Sequence, residues 1–245
     1  MTRRSRGFAL LAVLWVCIAL GTLAADAVDH ARADAAVSGT AVATIRARWA
    51  AEGCLAVGQS RLDAILASGR ALELPPGDTL FLANGARCVL DSYDPSARFN
   101  RDSMSAADAA RFDSALAVSG LAHSAARDTL ETVYGDGRIN LNRARPVVIA
   151  TLPGITPEAI RVLVEARAWR GSLHGLDELA ARLSPAGRAA LLEHYPELLP
   201  RVSFRTGALV LGARGWTDGS PASATIEVLA VNGGNRAAVI QRRMF

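Results

Sequence analysis

The chain has 245 residues, 51% apolar and 5% aromatic, a composition that suits one or two folded domains and excludes a disordered protein. All 27 basic residues are arginine and the net charge of +4 is scattered along the chain, so nucleic acid is not an expected charge-driven partner. Three cysteines without a C-x-x-C pair and four histidines in unrelated segments leave zinc and thioredoxin-like redox chemistry without a ligand set.

Arg3, Arg4 and Arg6 form a basic head that runs through Gly7 into an uninterrupted apolar segment, Phe8–Ala25. Its eighteen residues make a helix of about 27 Å, close to the hydrocarbon thickness of a bilayer and longer than a usual signal-peptide core. Asp26 and Asp29 follow on the other side, so the positive-inside rule keeps the head cytoplasmic and exports the rest of the chain. Helical spacing continues at Ile45, Trp49, Leu55, Leu62, Ile65 and Leu66 without a proline before Ser68, which predicts one long helix ending near Gly69. Gly39, Gly53 and Gly58 each weaken it by about 1 kcal/mol relative to alanine, which leaves room for local bends there. Cys17 lies in the apolar rod as a small hydrophobe. Cys54 and Cys88, in an oxidising compartment, are candidates for one disulfide, which requires a Cα separation of roughly 4.4 to 6.8 Å.

Pro75, Pro76 and Gly77 break the chain, and Thr79–Ala83 and Ala86–Ser92 flank Asn84-Gly85, a strong hairpin signal. From Asp94 to Pro200 helix-sized segments alternate with Pro and Gly. Ser105 is placed to cap a helix reaching about Ser119, and Ser124 another reaching about Val133. Strand signals return at Val202–Leu211, Ala224–Val231 and Ala237–Met244. The fold class is therefore α+β: a long N-terminal helix, transmembrane and then amphipathic, on a small antiparallel sheet interrupted by an all-helical insertion. The expected divisions are 1–7, 8–25, 26–93, 94–200 and 201–245.

Within the insertion, Ile139-Asn140-Leu141-Asn142 leads to a short helix with Pro146 in its first turn, and Leu152-Pro153-Gly154-Ile155 connects to a second. Thr156 can cap that helix, with Pro157 first in it and Glu158 in its first turn. The arrangement resembles a helix-hairpin-helix unit of competence DNA receptors and repair proteins, whose Gly-hydrophobic-Gly turn offers backbone N–H groups to a phosphate. Here Gly154, Ile155 and Thr156 occupy that turn, with threonine at the second glycine position and Arg161 and Arg167 as further cations. A structural or protein-docking hairpin is the preferred reading, and DNA binding the alternative. No G-x-S-x-G, P-loop or H-E-x-x-H occurs, so no catalytic site is expected. Asp91 with Asp94, and Asp136 between two glycines, offer oxygen ligands to Ca²⁺, although ordinary turns are the commoner use of such clusters.

Taken together, the arginine head, the Gly7-Phe8 junction, the apolar rod, the long helix and a helical block inserted into a small sheet resemble the type II secretion minor pseudopilin K family (general secretion pathway protein K). Arg98-Phe99-Asn100 also resembles that family's RFNLN stretch, from which Arg101 and Asp102 depart. The resemblance implies a pilin-like fold and cleavage by prepilin peptidase between Gly7 and Phe8, leaving Phe8 as an N-methylated first residue. It implies residence in the bacterial inner membrane with a periplasmic body, and partners in the lipid bilayer, the assembly platform and the minor pseudopilins I and J. Most pilin-like subunits carry a glutamate where this chain has Ala12. Its absence fits a subunit at the tip, with no neighbour above whose amine needs a carboxylate in lipid. The resemblance adds weight to calcium and gives no other cofactor. An exported DNA receptor, and a secreted protein cut near Ala24–Ala27, are the competing readings.

Overall fold

The computed structural model describes residues 5–70, 72–75, 77–121, 127–169, 172–234 and 236–245. Its first element, α1 (Ser5–Ala67), is a single helix of 63 residues, about 95 Å long at 1.5 Å per residue. The helix runs without a break through Gly39, Gly53 and Gly58. The second half of α1 is supported by tertiary packing, which outweighs a propensity cost of about 1 kcal/mol per glycine. Its first fully buried residue is Ala47, and the buried stripe continues through Ala50, Ala51, Cys54, Leu55 and Leu62. Gly69 ends the helix in the left-handed region (φ 66°), with Gly69 N–H donating to Leu66 O and Arg70 N–H to Ile65 O, the two bonds of a Schellman cap.

The stripe packs on a five-stranded antiparallel sheet ordered β1-β2-β7-β8-β9, formed by β1 (Asp78–Phe81), β2 (Ala86–Tyr93), β7 (Ala208–Thr217), β8 (Ser223–Asn232) and β9 (Ala237–Met244). The hairpin at Asn84-Gly85 forms with a wider turn than a two-residue one. Phe81 pairs with Arg87, and a 3-10 turn at Ala83–Gly85 closes the gap with Gly85 at φ 72°. Helix and sheet approach closely at Gly215 on β7. A Cβ built there would stand 2.3 Å from Ala47 O and 2.4 Å from Ala51 N, so the helix backbone rests directly on the strand.

β2 and β7 are neighbours in the sheet, with Tyr93 opposite Val210, so everything between them is an excursion out of one strand and back into the next. That excursion holds β3 (Phe99–Asn100), α2 (Ala106–Val118), β4 (Glu131–Thr132), β5 (Ile139–Asn140), α3 (Pro146–Ile149), α4 (Pro157–Ala168), α5 (Leu176–Ala181), α6 (Pro185–Glu193), α7 (Tyr195–Leu198) and β6 (Val202–Ser203). All-helical is therefore corrected: two-residue strands pair in parallel, β3 with β4 and β5 with β6. The strand expected at Val202–Leu211 is split in two. Its first two residues pair inside the insertion, and the sheet strand starts at Ala208. Ser105 caps α2 through a reciprocal capping box with Asp108. The helix expected from Ser124 to Val133 is not formed over its described part, where Arg127–Leu130 is turn and Glu131–Thr132 strand; Ser124 lies outside the described residues. The insertion closes on its own apolar cluster, in which the rings of Phe99 and Phe112 stack 4.3 Å apart above Leu116, Leu141, Leu163 and Leu191.

Candidate assembly surface and the helical hairpin

The N-terminal part of α1 stands clear of the body. Leu10, Leu14, Trp15, Ile18 and Leu23 are all exposed, Leu10 by 76%, and this region contains the helix window apolar enough to cross a membrane, with mean hydropathy 2.1. Gly7 and Phe8 lie on the helix; Arg3 and Arg4 lie outside the described residues. Ala12 is exposed on the rod, and Gly21 has no heavy atom within 4 Å of a built Cβ. Between the rod and the first buried residue, Asp26 to Arg46 forms an exposed helical stalk about 30 Å long. Local pairs such as Asp29 with Arg32 (3.7 Å) support it by a few tenths of a kcal/mol each.

Where α1 reaches the sheet, Cys54 and Cys88 form a disulfide with a Cα separation of 6.1 Å, both residues fully buried. The bond ties α1 to β2. Cys17, on the rod, is free and exposed.

The hairpin of α3 and α4 forms, and Thr156 caps α4 by accepting from Ala159 N–H at 3.2 Å. Gly154 adopts φ 67°, but the space beside it is filled. A Cβ there would meet His194 Cβ at 2.8 Å and Ala190 O at 2.9 Å, so the turn is packed under the end of α6. Ile155 packs against the insertion core. Glu158 accepts from the backbone N–H and hydroxyl of Ser184, both at 2.8 Å, and these bonds hold its carboxyl below the usual range. Arg167 turns inward. It donates to Ala144 O at 2.7 Å and to Leu141 O, its Nε is buried without a partner, and burial pushes its guanidinium below its ordinary value. The turn proposed for a phosphate is thus used for packing, and one of the two proposed cations is spent on backbone carbonyls. Arg161 alone is exposed on α4 as expected for a cation offered to solvent.

The motif before the hairpin has a role that residue type alone did not reveal. Asn140 donates to Asp94 Oδ2 at 2.9 Å while its own Oδ1 accepts from Asn142 N–H at 3.0 Å. Asn142 in turn donates to Leu173 O (2.8 Å) and Phe204 O (2.7 Å) and accepts from Leu173 N–H (3.0 Å). The same local unit occurs earlier, where Asn100 Oδ1 accepts from Asp102 N–H at 3.1 Å and its amide donates to the carbonyls of Tyr134 and Gly135. The recurrence of Arg98-Phe99-Asn100 as Arg138-Ile139-Asn140, each ahead of a turn and a helix, is the signal that could have shown this repeat. Asp94 accepts from Ser96 N–H (2.9 Å), Ser96 Oγ (2.5 Å), Asn140 Nδ2 (2.9 Å) and Thr206 Oγ1 (2.6 Å), so its oxygens are committed to protein donors. Asp91 is exposed on β2, and Asp136 accepts from Arg138 N–H at 3.0 Å. Among the described residues no three His, Cys, Asp or Glu side chains come together to hold a metal ion.

No protein-family model and no curated protein sequence matches the chain. Among solved structures, it is similar to a chain in the crystal structure of the GspK-GspI-GspJ complex from the type 2 secretion system of enterotoxigenic Escherichia coli. The likeness has a TM-score of 0.53 at 13% identity and covers 88% of this chain and 99% of that one. At that identity it is a likeness of fold: a long helix on a small antiparallel sheet with a large excursion between strands.

Proposed function

We propose that this chain is a minor pseudopilin of a type II secretion system, in the position of the K subunit. The observation that carries the proposal is the fold likeness to a chain of the GspK-GspI-GspJ complex over nearly the whole of both chains. In this reading residues 1–7 are a leader removed by prepilin peptidase, Phe8 becomes the N-methylated first residue, and Phe8–Ala25 holds the chain in the bacterial inner membrane with its body in the periplasm. The rod then leaves the membrane to pack against the rods of the minor pseudopilins I and J. Small residues at Ala12, Ala19 and Gly21 permit close helix approach in lipid, where packing replaces the hydrophobic effect as the driving force.

Two features favour the tip of the pseudopilus. Ala12 supplies no carboxylate for the amine of a subunit above, and the excursion between β2 and β7 adds bulk where a stacked subunit would have to pass. The protein works in this reading as a structural part that starts and caps a fibre and supports export across the outer membrane, and it has no catalytic role. Mass spectrometry of the chain purified from membranes tests the first step: a methylated Phe8 at the N-terminus is expected, and a start near Asp26 or Val28 overturns the reading. Co-purification with the I and J subunits tests the second. Failure to form a ternary complex when Phe8 is correctly processed removes the K position while leaving the pseudopilin assignment standing.

A further inference from the structure

The five-stranded sheet ends at β9, and among the described residues no strand pairs with its outer edge. β1, at the opposite edge, has four residues, whereas β9 has eight and contains no proline. Ala237 N–H at its start donates to Asp63 of α1 at 2.6 Å, and the rest of an edge of that length leaves backbone N–H and C=O groups open to pairing with another chain. A bulge sets Gln241 opposite Leu229 and Val239 opposite Ala230, leaving Ile240 as the extra residue, 63% exposed. Ile240 and Gln241 form one wall of a groove of about 550 Å³ whose other walls include Tyr134, Asp136, Arg138 and Arg205. Ala208 on β7 and Leu229 and Val231 on β8 also line it, so the groove lies between the insertion and the face of the sheet and reaches the free edge only at Ile240 and Gln241.

The charges around it are unbalanced. Arg205 in the groove and Arg236 just before β9 are exposed, and neither forms an ion pair among the described residues. Arg242 on β9 is answered by Glu52, and Arg243 lies over the ring of Tyr134, whose hydroxyl donates to Glu227 at 3.0 Å. With Arg138, which is exposed in the groove and whose guanidinium donates to Val202 O, three cations are left over against Asp136. A second copy of this chain fits poorly, because antiparallel self-pairing of β9 brings Arg236, Arg242 and Arg243 of two molecules together.

We propose that the edge of β9, with the adjoining groove, is a docking site for an extended acidic segment of a partner protein, which adds as a sixth strand and sets its carboxylates against Arg205 and Arg236. Main-chain hydrogen bonds supply the affinity in such a mode, and the groove with its two arginines supplies the selectivity. The inference is independent of the secretion reading.

The test uses the full chain in detergent and a labelled peptide of alternating Glu and Val. Fluorescence anisotropy is expected to show salt-sensitive binding about tenfold tighter than that of the Lys-Val counterpart, with amide hydrogen exchange slowed at Val239–Arg243. Alternate N-methylation of the peptide, which removes donors but keeps the acids, is expected to abolish binding, and the exposed double substitution Arg205→Glu with Arg236→Glu to weaken it about tenfold. Equal binding of the N-methylated peptide overturns the strand addition, and equal binding of the Lys-Val peptide overturns the acidic preference. Absence of binding, or dimerisation of the chain itself through β9, overturns the site.

Discussion

The helix-sheet region and the insertion each bury an apolar cluster of their own, the larger in the insertion, and they are fastened by different chemistry. In the helix-sheet region α1 lies against β7 through alanines, Leu55, Leu62, Leu209, Leu211 and Gly215, and the Cys54–Cys88 bond ties α1 to the adjacent β2. In the insertion no disulfide occurs among the described residues, and short helices are located by buried polar side chains: Asn100, Asn140, Asn142, Asp108 and Arg167, each bonded to backbone or to one another. The difference follows from the length of the elements. A long helix on extended strands satisfies its own backbone and needs only shape and a crosslink. Short helices leave many free N–H and C=O groups at their ends, and buried amides and guanidinium groups are used to satisfy them.

If the two regions are held independently, removing the crosslink should weaken one and spare the other. Replacing Cys54 and Cys88 by alanine is expected to cost about 4 kcal/mol, the loop-closure value for a bond across 34 residues. Hydrogen exchange on the full chain in detergent should then rise in β1, β2 and the buried half of α1 while α4 and α6 keep their protection. A uniform rise would break the comparison, since it would mean that one cooperative unit spans both. Gly215→Ala tests the same interface without touching the bond. The added methyl meets the main chain of Ala47 and Ala51, which cannot rotate away, so a loss of about 3 kcal/mol in denaturant unfolding is expected. Ala50→Gly should fail to rescue it, because the obstruction is backbone.

Asp94 belongs to neither region alone. It sits where the chain leaves β2, and it accepts from Asn140 inside the insertion and from Thr206 at the return to β7. Asp94→Ala strands four donors and is expected to cost about 2 kcal/mol by the usual value for hydrogen bonds to a charged group. Because the group joins the exit and the re-entry of the excursion, exchange should rise at Asn140 and at Ala208 together. A rise on one side only would show that the junction is not shared.

Much of the helix-sheet region was legible in the sequence because its signals are local. Phe8–Ala25 is an apolar run beside arginines, Asn84-Gly85 marks a turn, and Gly69 stands just beyond the last buried turn of α1. The caps at Ser105 and Thr156 were legible for the same reason. The short parallel pairs were not: Phe99 pairs with Glu131 and Ile139 with Val202, and two residues carry no pattern that names a partner so distant. At the hairpin, glycine at 154 was visible but its reason was not. A turn built to approach a phosphate and one built to sit under His194 ask for the same residue, and only the tertiary contact separates them. Arg167 is a similar case, since a guanidinium aimed at buried carbonyls and one aimed at solvent read alike.

The smallest expected effect concerns charge within the insertion. Burial raises the carboxyl of Asp108, but bonds from Ser105 and the charges of Arg201 and Arg111 outweigh it and bring the group below its ordinary value of 3.8. A folded value below the unfolded one means that the unfolded chain takes up the proton first as the pH falls. The stability from this carboxylate is therefore fully present above pH 3.8 and is lost as the pH drops through the lower folded value. Unfolding of the full chain followed between neutral pH and pH 3 should show the insertion destabilised in that acid range. Asp108→Asn should make the decline shallower without removing it, because Glu158 and Glu178 are also held low by backbone N–H groups of the insertion. The helix-sheet interface, made of alanines, leucines, Ile226, Val228, Gly215 and a disulfide, carries no ionisable group in its buried cluster. If its exchange protection fell in step with the insertion below pH 3.8, the polar fastening of the one would be coupled to the apolar fastening of the other.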